Sequence, residues 1–258
     1  MPNGKPTIAF IGFGEAGQAI AAGLREAGVV ETMSAWDILF RQAAGEKLKR
    51  AAEATGVRCA NSAADAVRGM DLIISAVTAA SSVDAAQAVK AHLAGTPYFL
   101  DINSVSPGRK QETAKLLYDA GRYVDVAVLA PIYPARHQTP MLLAGPHADA
   151  IAPTLAALGM RVSIAGAETG AAAAIKMVRS VMIKGIEALT LECFLAASRA
   201  GVIDAVAASM KNNYPASIGE RSCLTISSAW PTTASAAPPK RPACVAPIRP
   251  RTRSAAWT

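Results

Sequence analysis

The sequence predicts an α/β protein, a doubly wound and mostly parallel sheet followed by an all-α C-terminal region. Two observations carry this expectation. Short β-branched apolar runs alternate with alanine-rich amphipathic stretches up to about residue 165, the rhythm of βαβ units. From Glu168 to about Ala200 the alternation gives way to a single long helical pattern, with Gly201 placed to cap it.

In chain order, the first apolar run, 7–11, reads as a strand, and the segment 15–27 behind it has the spacing of an amphipathic helix. Further strands are expected at 33–36, 57–59, 72–77, 98–100, 123–128, 141–143 and 161–164, each short and apolar. The intervening helices are expected at 41–55, 62–68, 81–93, 107–120 and 147–158. Before 107–120, Ser106 and Pro107 form a natural N-cap and first-turn pair. The long helix begins in Gly170-Ala-Ala-Ala-Ala-Ile-Lys176, where a run of small side chains permits close packing against the sheet. Three regions follow: a dinucleotide-binding domain over 1–165, an incomplete helical domain over 166–215, and an atypical tail over 216–258.

That tail is rich in Ala, Pro, Ser, Thr and Arg and shows no periodic apolar face, so it is expected to be disordered or poorly packed. Its stray tryptophan and cysteine residues suggest out-of-frame translation and a truncated helical domain, which resequencing of the gene tests. The tail also explains the net charge of +7: residues 1–220 hold 20 basic against 19 acidic side chains. No basic stripe with interleaved aromatics marks the body, which argues against a nucleic-acid partner. The four cysteines form no CxxC pair and there are only three histidines, so neither a metal site nor a disulfide framework is expected. His92, His137 and His147 read as surface residues. Glu187 and Glu192, with Lys184 between them, read as a solvated helix face. No signal-peptide core or membrane-spanning run is present, and a cytoplasmic location with no membrane partner is the expectation.

The most informative motif is Gly12-Phe13-Gly14-Glu15-Ala16-Gly17, a GxGxxG between the first strand and the first helix. Gly12 makes the tight turn, Gly14 admits a pyrophosphate to the backbone, and Gly17 brings helix and strand together. Asp37 lies 20 residues after Gly17 at the end of the second strand, where a carboxylate binds the ribose hydroxyls. This is a Rossmann-type signature. Asp37 disfavours a 2′-phosphate and so favours NAD, while Arg41 keeps NADP open. Val77 and Thr78, at the end of the fourth strand, complete the candidate cofactor wall.

A second cluster follows the fifth strand, in Asp101-Ile-Asn103-Ser104-Val-Ser106-Pro107. Asn103 and Ser104 lie beyond a strand's carboxyl end, where ligands of doubly wound sheets bind, and both can hydrogen-bond a nicotinamide or a substrate carboxylate.

With these motifs in this order, the chain resembles the β-hydroxyacid dehydrogenase and 6-phosphogluconate dehydrogenase superfamily over residues 6–213, within a branch carrying a phosphogluconate-dehydrogenase-like NAD-binding domain. The resemblance implies that Asn103 and Ser104 occupy the segment touching substrate and cofactor. It implies that Lys176 is the catalytic lysine of a GxGxxxKxxNN helix, in which Gly170 matches, Ala172 replaces the second glycine, and Arg179 and Ser180 replace the asparagines. The family's APVSGG segment is here Ala130-Pro131-Ile132-Tyr133-Pro134-Ala135, so the substrate pocket must differ, with Tyr133 either a polar contact or a packed aromatic.

The implied activity is NAD(P)-dependent hydride transfer on a small hydroxy acid or its keto partner, with Lys176 as base and Asn103, Ser104, Tyr133 and Ser180 as substrate contacts. Intact members are homodimers. Two alternatives stay open. One is an imine-reductase-like enzyme, which usually lacks this lysine; the other is a non-catalytic dinucleotide-binding protein or degraded enzyme.

Overall fold

The computed structural model describes residues 4–210. Expectations for the tail, and for the last residues of the helical domain, lie outside them. The chain divides into two compact units, with the boundary in the sequence between Gly185 and Ile186.

The first unit contains an eight-stranded sheet in the order β3-β2-β1-β4-β5-β6-β7-β8. Its strands are β1 (Ile8–Ile11), β2 (Met33–Trp36), β3 (Val57–Cys59), β4 (Leu72–Ser75), β5 (Tyr98–Asp101), β6 (Arg122–Val128), β7 (Met141–Ala144) and β8 (Val162–Gly166). All neighbours pair in parallel except β6 and β7. The exception has a plain cause: a parallel return needs a long crossover, and between β6 and β7 there is only a loop with the short turn Arg136–Gln138.

Six helices surround the sheet: α1 (Glu15–Ala27), α2 (Glu46–Ala54), α3 (Ala63–Val67), α4 (Ser82–Lys90), α5 (Pro107–Leu116) and α6 (Ala148–Ala157). Strand alternation divides their packing. Ile8 and Phe10 of β1 join the core containing Ile20 and Leu24 of α1 and Ile151 and Leu155 of α6. Ala9 and Ile11 face the other way, toward Ala66 of α3, Val89 of α4 and the α5-side Leu117. These are the two buried faces that the near-continuous apolar strands require.

The long helix is α7 (Ala171–Arg199), and α8 (Ile203–Met210) follows it. At its start, Ala172 packs with Ala127, Leu142 and Ala144 on the sheet, the close approach that the alanine run suggests. Gly201, at φ +71°, ends α7 by donating its N–H to the Ser198 carbonyl. None of the described helices is long and apolar enough to cross a membrane.

Two expectations need correction. The helix expected over 41–55 is two short turns, Ile38–Arg41 and Ala43–Gly45, followed by α2. Asp37 caps the first turn by accepting the Leu39 N–H, and Gly45 sits so close under the Leu39 carbonyl that no Cβ would fit. His137, expected at the surface, is only 6 % exposed. The β6–β7 loop folds it onto α1, where Arg136 pairs with Glu26 at 2.6 Å and the imidazole fills the space above Gly23. Burial lowers the pKa of this ring, so it stays neutral where a free histidine begins to charge. A methyl group at Gly23 would collide with His137 Nδ1, and Gly23→Ala is expected to cost about 1–3 kcal/mol in chemical denaturation.

Candidate active site

The turn after β1 is built for close approach. Gly12 has φ +87°, and a Cβ there would lie 2.7 Å from the Ala76 carbonyl carbon. Its N–H donates to the Trp36 carbonyl at 2.8 Å, and the Ala76 N–H donates to the Ile11 carbonyl at 2.8 Å, so the ends of β1, β2 and β4 are held together. At Gly17 a Cβ would stand 2.9 Å from the Gly12 carbonyl oxygen, whereas at Gly14 it would meet nothing within 4 Å. The loop is therefore tight beneath and open above. No side chain caps the start of α1, which leaves its first N–H groups for an anion.

Asp37 stands at the end of β2 and is already engaged. Its carboxylate accepts the Phe13 N–H at 2.8 Å and the Leu39 N–H at 2.9 Å, which ties the glycine turn to the segment after β2. Phe13 itself is fully buried and packs edge-on against Phe10. Close by, the Arg41 guanidinium lies 5.6 Å from the centre of the Trp36 ring.

Two cavities open along the carboxyl ends of the strands. One, of about 490 Å³, runs from Glu15 and Ala16 past Ala76 and Val77 to Ala130, Pro131 and Ile132. The other, of about 350 Å³, lies between α5 and α7 and is walled by Lys110, Val126, Ala173, Met177 and Ser180. Asn103, Ser104 and Lys176 line both.

At this junction the Lys176 ammonium donates to Ser104 Oγ at 2.7 Å, bridging α7 and the end of β5. Burial, and secondarily the charge of Lys110, lower the Lys176 pKa from the usual lysine range. Asn103 is 4 % exposed and its amide is spoken for: Oδ1 accepts the Val77 N–H at 2.7 Å and Nδ2 donates to Ser75 Oγ at 3.0 Å. It braces the strand ends while presenting its remaining hydrogen-bonding capacity to the cavities. Ser180 lines the second cavity, but its hydroxyl donates to the Lys176 carbonyl at 2.7 Å, so it faces a ligand as an acceptor.

Other expected site residues are not brought here. Tyr133 is half exposed and lines neither cavity, because the loop turns inward at Ile132, whose carbonyl accepts the Thr139 hydroxyl. Thr78 is exposed and donates to Ser81 Oγ at 3.1 Å. Arg179, in place of an asparagine of the family's motif, donates to the Leu129 carbonyl at 2.8 Å. Ser106 caps α5 as expected.

Beneath the second cavity lies a charged cluster that sequence reasoning missed. Asp101 of β5 and Asp125 of β6 are register partners on adjacent strands, and both are fully buried. Lys110 of α5, 1 % exposed, lies 3.1 Å from Asp101 Oδ1 and 3.4 Å from Asp125 Oδ1. Tyr123 donates its hydroxyl to Asp101 Oδ2 at 2.8 Å, and burial with this carboxylate raises the phenol pKa far above its usual value. Asp125 Oδ2 accepts the N–H groups of Gly170 and Ala173 at 3.1 and 3.2 Å, and so anchors the start of α7. The signal available in the sequence was a carboxylate inside each of two apolar strands. Lys110, within Gly-Arg-Lys-Gln-Glu, gave none.

Comparisons with known proteins place this geometry in context. Residues 7–102 match the family described as NADP oxidoreductase, coenzyme F420-dependent. An uncharacterised 28.5 kDa protein of Methanothermus fervidus is 30 % identical over 197 residues, 76 % of this chain and 73 % of its own. A conserved protein of unknown function, described as structurally similar to 3-hydroxyacid dehydrogenases, is 28 % identical with a TM-score of 0.69, covering 86 % of this chain and 81 % of its own. The fold is also shared with Mycobacterium tuberculosis 3-hydroxyisobutyrate dehydrogenase (21 % identity, TM-score 0.70, covering 81 % and 71 %) and with a Myxococcus stipitatus imine reductase (23 %, 0.69, covering 86 % and 76 %).

Proposed function

The chain belongs to the β-hydroxyacid dehydrogenase superfamily, and from that premise we propose that it is an NAD(P)-dependent oxidoreductase of small hydroxy acids or their keto partners, with Lys176 exchanging the substrate proton. One observation carries the reading: Lys176 sits where the two cavities share their walls, hydrogen-bonded to Ser104 at 2.7 Å.

The residues present fit a nicotinamide dinucleotide. Gly12 and Gly14 leave the backbone bare, the first turn of α1 offers uncapped N–H groups, and Asp37 stands where ribose hydroxyls are bound. When bound, that group supplies the hydride donor or acceptor. The chain supplies the rest. Oxidising an alcohol requires loss of its hydroxyl proton, and a neutral amine at Lys176 accepts it; reduction of a carbonyl reverses the transfer. Ser104 takes one Lys176 hydrogen and orients the amine, while its own hydroxyl hydrogen is free to meet the substrate. Ser180 offers an oxygen acceptor, and Val126, Ala173 and Met177 give the second cavity apolar walls. Among the described residues lining it, Lys110 and Lys176 alone are ionisable, and Lys110 is already paired with Asp101 and Asp125, which suits a small substrate rather than a polyanion.

Titration of the protein with NADH and NADPH by nicotinamide fluorescence, beside a turnover screen on hydroxy acids, keto acids and imines, tests the reading. Cofactor binding with oxidation of a hydroxy acid is the expected result. Turnover of imines alone moves the chain to the imine reductases, and binding without any turnover favours a non-catalytic binder.

Nicotinamide preference is a separate expectation. Asp37 sets a negative charge where a 2′-phosphate would approach, while Arg41 lies nearby on Trp36. Asp37→Ser is expected to shift the ratio of NAD to NADP affinities toward NADP by about tenfold or more, read by the same titration.

A further inference from the structure

Two buried carboxylates lie side by side on neighbouring strands, at Asp101 and Asp125, with a buried cation against them. Like charges so placed repel strongly away from water, and Lys110 offsets that repulsion. Offsetting it does not require the cation to reach a ligand cavity, yet here it does. Of the three charged groups, only Lys110 lines the cavity that Lys176 also lines. The substrate space therefore faces the positive end of the cluster, with the carboxylates behind it.

We propose that Lys110 is a positioning residue for Lys176: a fixed buried cation that favours the uncharged, proton-accepting form of the Lys176 amine and, through Asp125, holds the helix start that carries it. This rests on the reading of Lys176 as the proton-exchanging group.

The anchoring is direct. Lys110 also donates to the carbonyls of Asp101, at 2.5 Å, and Val126, at 3.4 Å, so its ammonium is fixed from several sides. Asp125 binds Lys110 through one oxygen and the Gly170 and Ala173 N–H groups through the other. Gly170 has φ +99°, and a Cβ there would stand 3.1 Å from Pro107, so α7 starts hard against the first turn of the helix bearing Lys110. The remaining charged groups do not replace it. Glu15 of α1 lies on the far wall of the other cavity, Arg179 is turned to the Leu129 carbonyl, and Arg109 pairs with Glu112 on the exposed side of α5. Tyr123 keeps its proton against Asp101. The charge of Lys110 and the burial of Lys176 act on the Lys176 amine in the same direction.

The test titrates that amine without relying on turnover. Acetic anhydride acylates only neutral amines, and the pH dependence of Lys176 acylation in the full-length protein, read by peptide mass spectrometry, gives its midpoint. Lys110→Met alone would leave two facing carboxylates without their cation, so the comparison is Lys110→Met/Asp125→Asn against Asp125→Asn. The double variant is expected to titrate about one pH unit higher. Lys110→Arg, which retains the charge, should keep the wild-type midpoint, and Asp125→Asn alone should not raise it. Equal midpoints in the double variant and Asp125→Asn, a rise in Lys110→Arg, or a rise in Asp125→Asn would each overturn the proposal. Full turnover in a Lys176 variant would instead remove the catalytic reading and leave the titration result standing.

Discussion

Lys176→Ala is expected to bind the dinucleotide with unchanged affinity and to lose about 10²–10⁴-fold in turnover, the range contributed by a positioned acid or base. The affinity should persist because the groups fitted to the dinucleotide phosphates and ribose are the glycine turn, the start of α1 and Asp37, none of which Lys176 touches. Turnover should fall because neither the neighbouring amide nor the neighbouring hydroxyl replaces a neutral amine: Asn103 is engaged with Val77 and Ser75, and the Ser180 hydroxyl, in the second cavity, is given to the helix backbone.

The pH profile supplies the sign. A base works in its deprotonated form, so the oxidation rate should rise with pH through the Lys176 titration. Burial and Lys110 place that rise below the ordinary lysine value of 10.5. The rising limb should be absent from Lys176→Ala. Steady-state rates across pH, with fluorescence titration of NADH for binding, check both parts, and unchanged turnover would remove Lys176 from the mechanism.

Much of this site was legible because its parts are local. A glycine turn between a strand and a helix needs only neighbouring residues, and α1 runs over Glu15–Ala27 as its spacing requires. The strand rhythm placed β2 and β3 at their observed residues for the same reason. Asp37 was singled out by its interval from the glycine turn, and Lys176 by the resemblance of its helix to the family's lysine motif. What escaped was decided by contacts across the sheet. His137 belongs to a loop of unremarkable composition, and only the fold-back of that loop onto Gly23 buries it. Tyr133 shares its loop with Ile132 and points away from the cavities because Ile132 is the residue taken inward. Lys110 lies in a run of polar residues that reads as a solvated helix face, and its burial follows from two acids on strands that become neighbours only in the sheet.

Asp125→Ala is expected to lower the stability of the first unit by about 3–5 kcal/mol, chiefly the cost of two buried N–H groups left without an acceptor and of the space vacated. Three losses act together. Lys110 keeps only one of its two carboxylates, the Gly170 and Ala173 N–H groups lose their acceptor, and a void opens between β6 and α7. Burial raises the Asp125 pKa and the nearby Lys110 opposes that rise, so part of the carboxylate's negative charge is sustained by the cation. Asp125→Asn retains the volume and an oxygen acceptor while losing the charge, and should cost only about 1–2 kcal/mol. Urea denaturation of the two variants separates these contributions. A loss in Asp125→Asn equal to that in Asp125→Ala would mean that charge alone fixes the cluster. Because the same carboxylate carries the start of α7, surviving Asp125→Ala protein should also show weaker turnover at unchanged dinucleotide affinity, since the helix that presents Lys176 has lost its anchor while the glycine turn, on the far side of the junction, has not.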